Sequence, residues 1–179
     1  MSAPFIVLSG VDGSGKTTQA ALLAASLAAR GVAATLTRAP GGTPAGLRLR
    51  ELLMTQAFAD PMTSLSLFLA DRAEQNAAVI GPALARGDWV ISDRYAESTL
   101  AYQTTMSDDP RAWRDLVVAW HRQAGWSIPG LTIILDVDLP VALARIAARG
   151  APDRDPAAAG LGLLAAALRS KDGRFSELS

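Results

Sequence analysis

The sequence predicts an α/β fold, a mostly parallel sheet between helical layers, and three observations lead there. Short apolar runs rich in β-branched residues alternate with longer helical stretches. Most of these runs are apolar at successive rather than alternate positions, as strands covered on both faces must be. Several of the stretches between them open on a cap residue followed by proline, and the first of them ends at glycine.

In chain order the strands are Phe5 to Ser9 (FIVLS), Val32 to Arg38 (VAATLTR), Trp89 to Asp93 (WVISD) and Thr132 to Val137 (TIILDV). The first, third and fourth are nearly continuous in apolar character, which places them in the sheet centre. The first helix runs from Lys16 to Arg30 and stops at Gly31, a natural C-cap residue. Thr43-Pro44 and Asp60-Pro61 each pair an N-cap with a first-turn proline. Met62 to Arg86 contains Gly81-Pro82, expected to kink or break the helix because proline lacks a donor and crowds the preceding turn. Asp109-Pro110 opens a helix reaching Gln123, and Asp138 with Pro140 opens one reaching Arg149. Gly150 to Pro156 (GAPDRDP) is polar and proline-rich, so residues 149–156 are expected to form a mobile segment within one domain spanning 1–179.

At 179 residues the chain holds one domain's worth of sequence. A fold of this size buries roughly 70% of the surface its unfolded chain exposes, so it needs neither disulfides nor a structural metal. It has no cysteine. Lys and Arg number 17 against 17 Asp and Glu, giving no basic field for nucleic acid and no polybasic anchor for acidic lipid. Any phosphate recognition must be local. The first apolar run stops at Gly10 and no basic region precedes it, so neither a signal peptide nor a membrane span is expected and a cytoplasmic protein is. His121 is the only histidine and is expected to be structural. Trp113 and Trp120 share its helix, which is expected to pack on the body or on a second subunit.

Gly10-Val11-Asp12-Gly13-Ser14-Gly15-Lys16-Thr17 fits G-x-x-x-x-G-K-[ST] without deviation, after a strand and before a helix. The glycines allow backbone angles that turn successive N–H groups inward, and the helix start adds partial positive charge. Together they cradle a triphosphate. Lys16 would reach the outer phosphates and Thr17 would hold Mg²⁺, with Ser14 and Thr18 also in the nucleotide-binding set. The fold class narrows to a P-loop NTPase-like three-layer architecture, which alone leaves open a switch, an ATPase, a transporter subunit or a small-molecule kinase.

Five separated stretches, FIVLSGVDGSGKTTQ, LTRAPGGTPAG, LFLADRAEQ, SDRYAESTLAYQ and LDVDLPVALARIAARG, resemble thymidylate kinases in order and spacing. The resemblance implies transfer of the ATP γ-phosphate to dTMP within a homodimer, in the supply of dTTP. Asp12, otherwise a solvated turn residue, would contact the 3′-hydroxyl of the monophosphate. Arg38, at the carboxyl end of the second strand, is placed to pair with the acceptor phosphate. Family members usually carry Glu after this arginine, and here Ala39 stands in its place. Phe68 and Arg72 lie four apart on one helical face, which suits a stacked base and a donor to its edge. Taken alone, that Phe is better read as core; the resemblance makes the pair the thymine stacker and the donor to thymine O4.

Asp93 ends the third strand and Arg94 follows it. The family's Asp-Arg pair implies a water-mediated Mg²⁺ contact and a second hold on the acceptor phosphate. Downstream, the resemblance directs Gln103 to the base edge and Tyr102 to the sugar, where its ring would exclude a 2′-hydroxyl; Ser98 joins this substrate set. Between Gly10 and Lys16 there is no basic residue, as in the bacterial type that keeps catalytic arginine in its lid. Arg149 and Arg154 are the lid candidates, with Arg145 nearby; the competing reading is solvated charge at a helix end.

After Arg154 the match fades, where relatives commonly continue with a lid helix, another strand and a terminal helix. The expectation is a sheet lacking one edge and weaker adenine binding or stability. Two alternatives therefore stand beside the dTMP kinase: a catalytically impaired nucleotide-binding module, and a kinase of another deoxynucleotide.

Overall fold

The computed structural model describes residues 4–103 and 106–148. Among them are four strands, β1 (Phe5–Gly10), β2 (Ala34–Arg38), β3 (Trp89–Asp93) and β4 (Leu131–Leu135). The helices are α1 (Lys16–Ala29), α2 (Pro44–Thr55), α3 (Pro61–Gln75), α4 (Gly81–Ala85), α5 (Ala96–Gln103), α6 (Pro110–Gln123) and α7 (Leu139–Ala148). The strands form one sheet in the order β2-β3-β1-β4, every pairing parallel. All carboxyl ends therefore share one edge.

The unbroken apolar runs of β1 and β3 have a direct cause in the layers above and below. Phe5, Val7 and Val90 pack on one face against Ile80, Ala83, Tyr95 and Ala96. Ile6, Leu8 and Ile91 pack on the other against Ala20 and Leu27 of α1. Each strand thus buries both sets of alternating side chains.

Thr43, Asp60 and Asp109 cap α2, α3 and α6 as expected, accepting from the backbone N–H of Gly46 (2.9 Å), Met62 (2.8 Å) and Ala112 (3.0 Å). One expectation needs correction. β4 pairs only with β1 among the described strands, and Leu131 and Ile134 remain 52% and 38% exposed, so it is not central among them. An apolar run signals a strand but not the number of its neighbours. Just before Gly81-Pro82 the α-helix is interrupted, though the helical path continues. A π-helical turn, Asn76–Ile80, joins α3 to α4, and Gly81 N–H reaches back to Asn76 O. The widened turn accommodates the carbonyls that a proline one residue later would otherwise crowd.

His121 is structural as expected: it is 2% exposed and meets Tyr95 and Trp126 edge to face at 5.7 Å each. Burial, aided by Arg72, pushes its pKa from 6.5 down to about 4. The unfolded chain therefore binds a proton below pH 6.5 that the folded chain refuses down to about 4, so stability falls as pH drops through that window. At pH 5 this one group costs about 2 kcal/mol. Urea midpoints at pH 7.5 and pH 5 are expected to converge for His121→Gln relative to the parent; an unchanged difference would remove His121 as the cause.

Candidate active site

β1 brings the chain to the carboxyl edge of the sheet, where it must turn into α1. Gly10, Gly13 and Gly15 make the turn with φ of 141°, 81° and 99°. Side chains disfavour those angles, and at Gly10 and Gly13 space is missing too. A Cβ on Gly10 would lie 2.5 Å from Leu135 O, and one on Gly13 would overlap Ala142 O. The loop is thus seated against β4 and α7. At its end, Gly15 provides no side chain to cap α1, and Ser14 Oγ is buried with no hydrogen-bond partner among the described residues. A helix start without a side-chain cap, beside a buried hydroxyl, fits a phosphate. Lys16, 6% exposed, donates from Nζ to Val11 O at 2.7 Å and stands 3.9 Å from Asp12 Oδ1. Thr17 and Thr18 follow on the exposed side of the first turn.

Thr17 Oγ1 donates to Asp93 Oδ2 at 2.5 Å. Asp93 ends β3, in register with Leu8 of β1 and Arg38 of β2. A hydroxyl and a carboxylate side by side form a hard oxygen pair. That donor set fits Mg²⁺, which completes its shell with water and substrate phosphates rather than a cage of acids.

Arg94 comes next and adopts φ 71°, the one non-glycine residue with positive φ among those described. Its Nη2 donates to Asp12 Oδ1 at 2.5 Å and its Nη1 to Ser98 Oγ at 3.3 Å. The guanidinium lies 5.5 Å from the Tyr102 ring centroid. Burial works against its charge, but Tyr102 and Asp12 outweigh it, so its pKa is raised and it stays protonated. Burial likewise raises the Tyr102 phenol. Ser98 is thus brought to Arg94. Arg38 is exposed and borders a cleft of about 310 Å³ with Thr17, Thr37, Gly42 and Asp93.

Phe68 and Arg72 sit one turn apart in α3, the first half-buried and the second 3% exposed. Arg72 Nη2 donates to Thr99 Oγ1 at 3.2 Å, and its guanidinium lies 4.1 Å from the Tyr95 ring centroid. Its Nε is buried with no partner among the described residues. Burial lowers its pKa, while Tyr95, Glu97 and Asp71 oppose that shift. Gln103 is buried and accepts at Oε1 from Ser64 Oγ at 3.0 Å, tying the end of α5 to the start of α3.

Arg149 and Arg154 lie outside the described residues, as does the 149–156 segment. Arg145, which the sequence reading left aside, donates from Nη1 to Gly13 O at 3.3 Å. Sequence reasoning also missed the buried support of this edge. Asn76 bonds Tyr95 OH and the backbone of Arg72 and Ser127, and Glu97 accepts from Tyr95 N. Asp71 and Gln75 brace the turn after β2. Their available signal was polar residues at one-turn spacing on a helix packed against the interior.

Fold and loop together define a nucleotide-binding protein of the P-loop class. Residues 8–158 match the family model for thymidylate kinase. The thymidylate kinase of Deinococcus radiodurans is 46% identical over 156 residues, covering 84% of this chain and 72% of its own length. That of Burkholderia vietnamiensis is 45% identical over 154 residues, covering 84% and 73%. The crystal structure of thymidylate kinase from Ehrlichia chaffeensis superposes with a TM-score of 0.70 at 36% identity, covering 82% of this chain and 83% of that one. The chain belongs to the thymidylate kinase family.

Proposed function

We propose that this chain transfers the γ-phosphoryl group of ATP to dTMP, giving ADP and dTDP. The observation that carries the reading is the meeting of Arg94 with Asp12 at 2.5 Å, which puts an acceptor-side guanidinium against the phosphate-binding loop itself. Donor and acceptor groups thereby share one sheet edge.

The chemistry asks little of the protein beyond placement. An oxygen of the dTMP phosphate, already ionised at neutral pH, attacks the γ-phosphorus while the bond to the β–γ bridging oxygen breaks, and ADP carries away that electron pair. No strong general base is required; orientation and neutralisation of charge dominate. Lys16 and the amides around Gly13 and Gly15 hold the donor phosphates. Arg38 and Arg94 hold the acceptor phosphate, and Asp12 keeps Arg94 in place while facing the sugar. Phe68, Arg72 and Gln103 read the base, and Tyr102 crowds the 2′ position. Thr17 and Asp93 would hold Mg²⁺, which would supply positive charge to offset that of the donor phosphates. Arg149 and Arg154 complete the constellation as lid arginines of a single domain, 1–179.

No described helix is long and apolar enough to cross a membrane. We extend the reading to a cytoplasmic homodimer, supported by family membership alone. The deciding experiment is ADP formation from ATP and Mg²⁺ with and without dTMP. Stimulation by dTMP, with dTDP as the product, is expected. Binding of dTMP without ADP release would reduce the assignment to nucleotide recognition, and preference for another deoxynucleoside monophosphate would change the substrate.

A further inference from the structure

Gln75 is fully buried at the end of α3, one turn beyond Asp71. Its Nε2 donates to Arg38 O at 2.8 Å and to Thr37 Oγ1 at 3.0 Å. A carbonyl oxygen can only accept, so the nitrogen end of this amide must face β2. Asp71, 2% exposed, accepts from Gly41 N at 2.9 Å. The two side chains grip the turn on either side of Ala39-Pro40. The fit is close: a Cβ on Gly42 would lie 2.5 Å from Thr37 Oγ1 and 3.1 Å from Gln75 Nε2, and one on Gly46 would lie 2.5 Å from Asp71 Oδ1. The same helix carries Phe68 and Arg72. One rigid element thus bears the base-reading pair and the props under the phosphate-reading arginine.

We propose that Gln75 is a positioning residue that holds Arg38 at a set distance from Phe68 and Arg72, so that phosphate and base of one nucleotide are read together. The inference rests on the dTMP kinase reading. Gln75 acts through the Arg38 backbone and touches no substrate itself. Its contribution should therefore appear only for ligands that carry the 5′-phosphate.

The test compares dTMP with thymidine, which has the base and sugar but no phosphate. Gln75→Met keeps length and bulk but removes the donor; Gln75→Glu keeps shape but sets an acceptor against the Arg38 carbonyl. For Gln75→Met, a rise of about tenfold in KM and Kd for dTMP is expected from the lost hydrogen bond. The Kd for thymidine and the KM for ATP should stay within about twofold, and in an Arg38→Ala background Gln75→Met should add nothing further to the loss in dTMP affinity. Equal weakening of dTMP and thymidine, or an undiminished effect in the Arg38→Ala background, would show general disturbance of the fold and overturn the proposal. Should Gln75→Met fail to fold, Gln75→Glu carries the same comparison with the same expected and overturning results. Parent protein that binds neither ligand would sink the dTMP reading and this proposal with it. Parent protein that binds both leaves the reading standing even if Gln75 proves neutral, and neutrality overturns the proposal alone.

Discussion

Lys16→Ala is expected to lower dTMP-stimulated ADP release by about 10³-fold or more, the scale seen when a preorganised charge is removed from phosphoryl or acyl transfer. The reason is local. Lys16 is 6% exposed and its Nζ is fixed over the loop by Val11 O at 2.7 Å, so its charge waits where the γ-phosphate would develop its own. Nothing else described in the loop is basic: the residues from Gly10 to Gly15 carry no cationic side chain. The dTMP side should be spared, because Arg38, Phe68 and Arg72 belong to other elements. Steady-state ADP release and dTMP titration on the same sample separate the two, with far-ultraviolet circular dichroism confirming the fold. A variant within tenfold of the parent rate would remove Lys16 from the chemistry.

Arg94→Ala is expected to reduce kcat/KM for dTMP by about 10² to 10³-fold, the scale for losing a charge-assisted hold on the acceptor phosphate. The substitution removes the guanidinium from Asp12, from Ser98 and from the Tyr102 ring together. Backbone strain provides an internal control. At φ 71° arginine and alanine pay the same penalty for their Cβ, whereas glycine does not. Arg94→Gly should therefore be at least as stable as Arg94→Ala in urea and equally inactive. Activity tracking stability across the pair would mean that the arginine serves the fold rather than the acceptor.

The sequence made the nucleotide loop legible because its chemistry is contiguous. Gly10 through Thr17 must carry glycine at set positions and Lys-Thr at the end to turn amides inward and hold phosphate, and that constraint leaves a spelled-out motif. β1 and β3 were legible for a similar reason, since cover on both faces leaves an unbroken apolar run. What could not be read is what depends on residues far apart in the chain. β4 has the same apolar signature as β1, yet its position at one side of the described sheet follows from which strands find it. Gln75 and Asp71 carry no local sign of their partners, Arg38 and Gly41, which lie 37 and 30 residues earlier. Arg145 reaches Gly13 across 132 residues, a span over which no local pattern carries information.

The π turn at Asn76–Ile80 makes the arrangement sensitive to chain length in a way that side-chain chemistry does not reveal. The turn holds one residue more than α-helical winding would need there. Wound as regular α-helix with every residue kept, the same stretch would carry that extra residue around the axis, and each α-helical residue advances the path by about 100°. Phe68, Asp71, Arg72 and Gln75 would then swing together relative to α4, even though none of them had been changed. The widened turn absorbs the extra residue and keeps the two segments in phase, so deleting one residue within Asn76–Ile80 should leave their facing intact, whereas adding one should re-aim four side chains at once. The phase between α3 and α4 is therefore a specification in its own right, set by how the turn is wound rather than by which residues it holds.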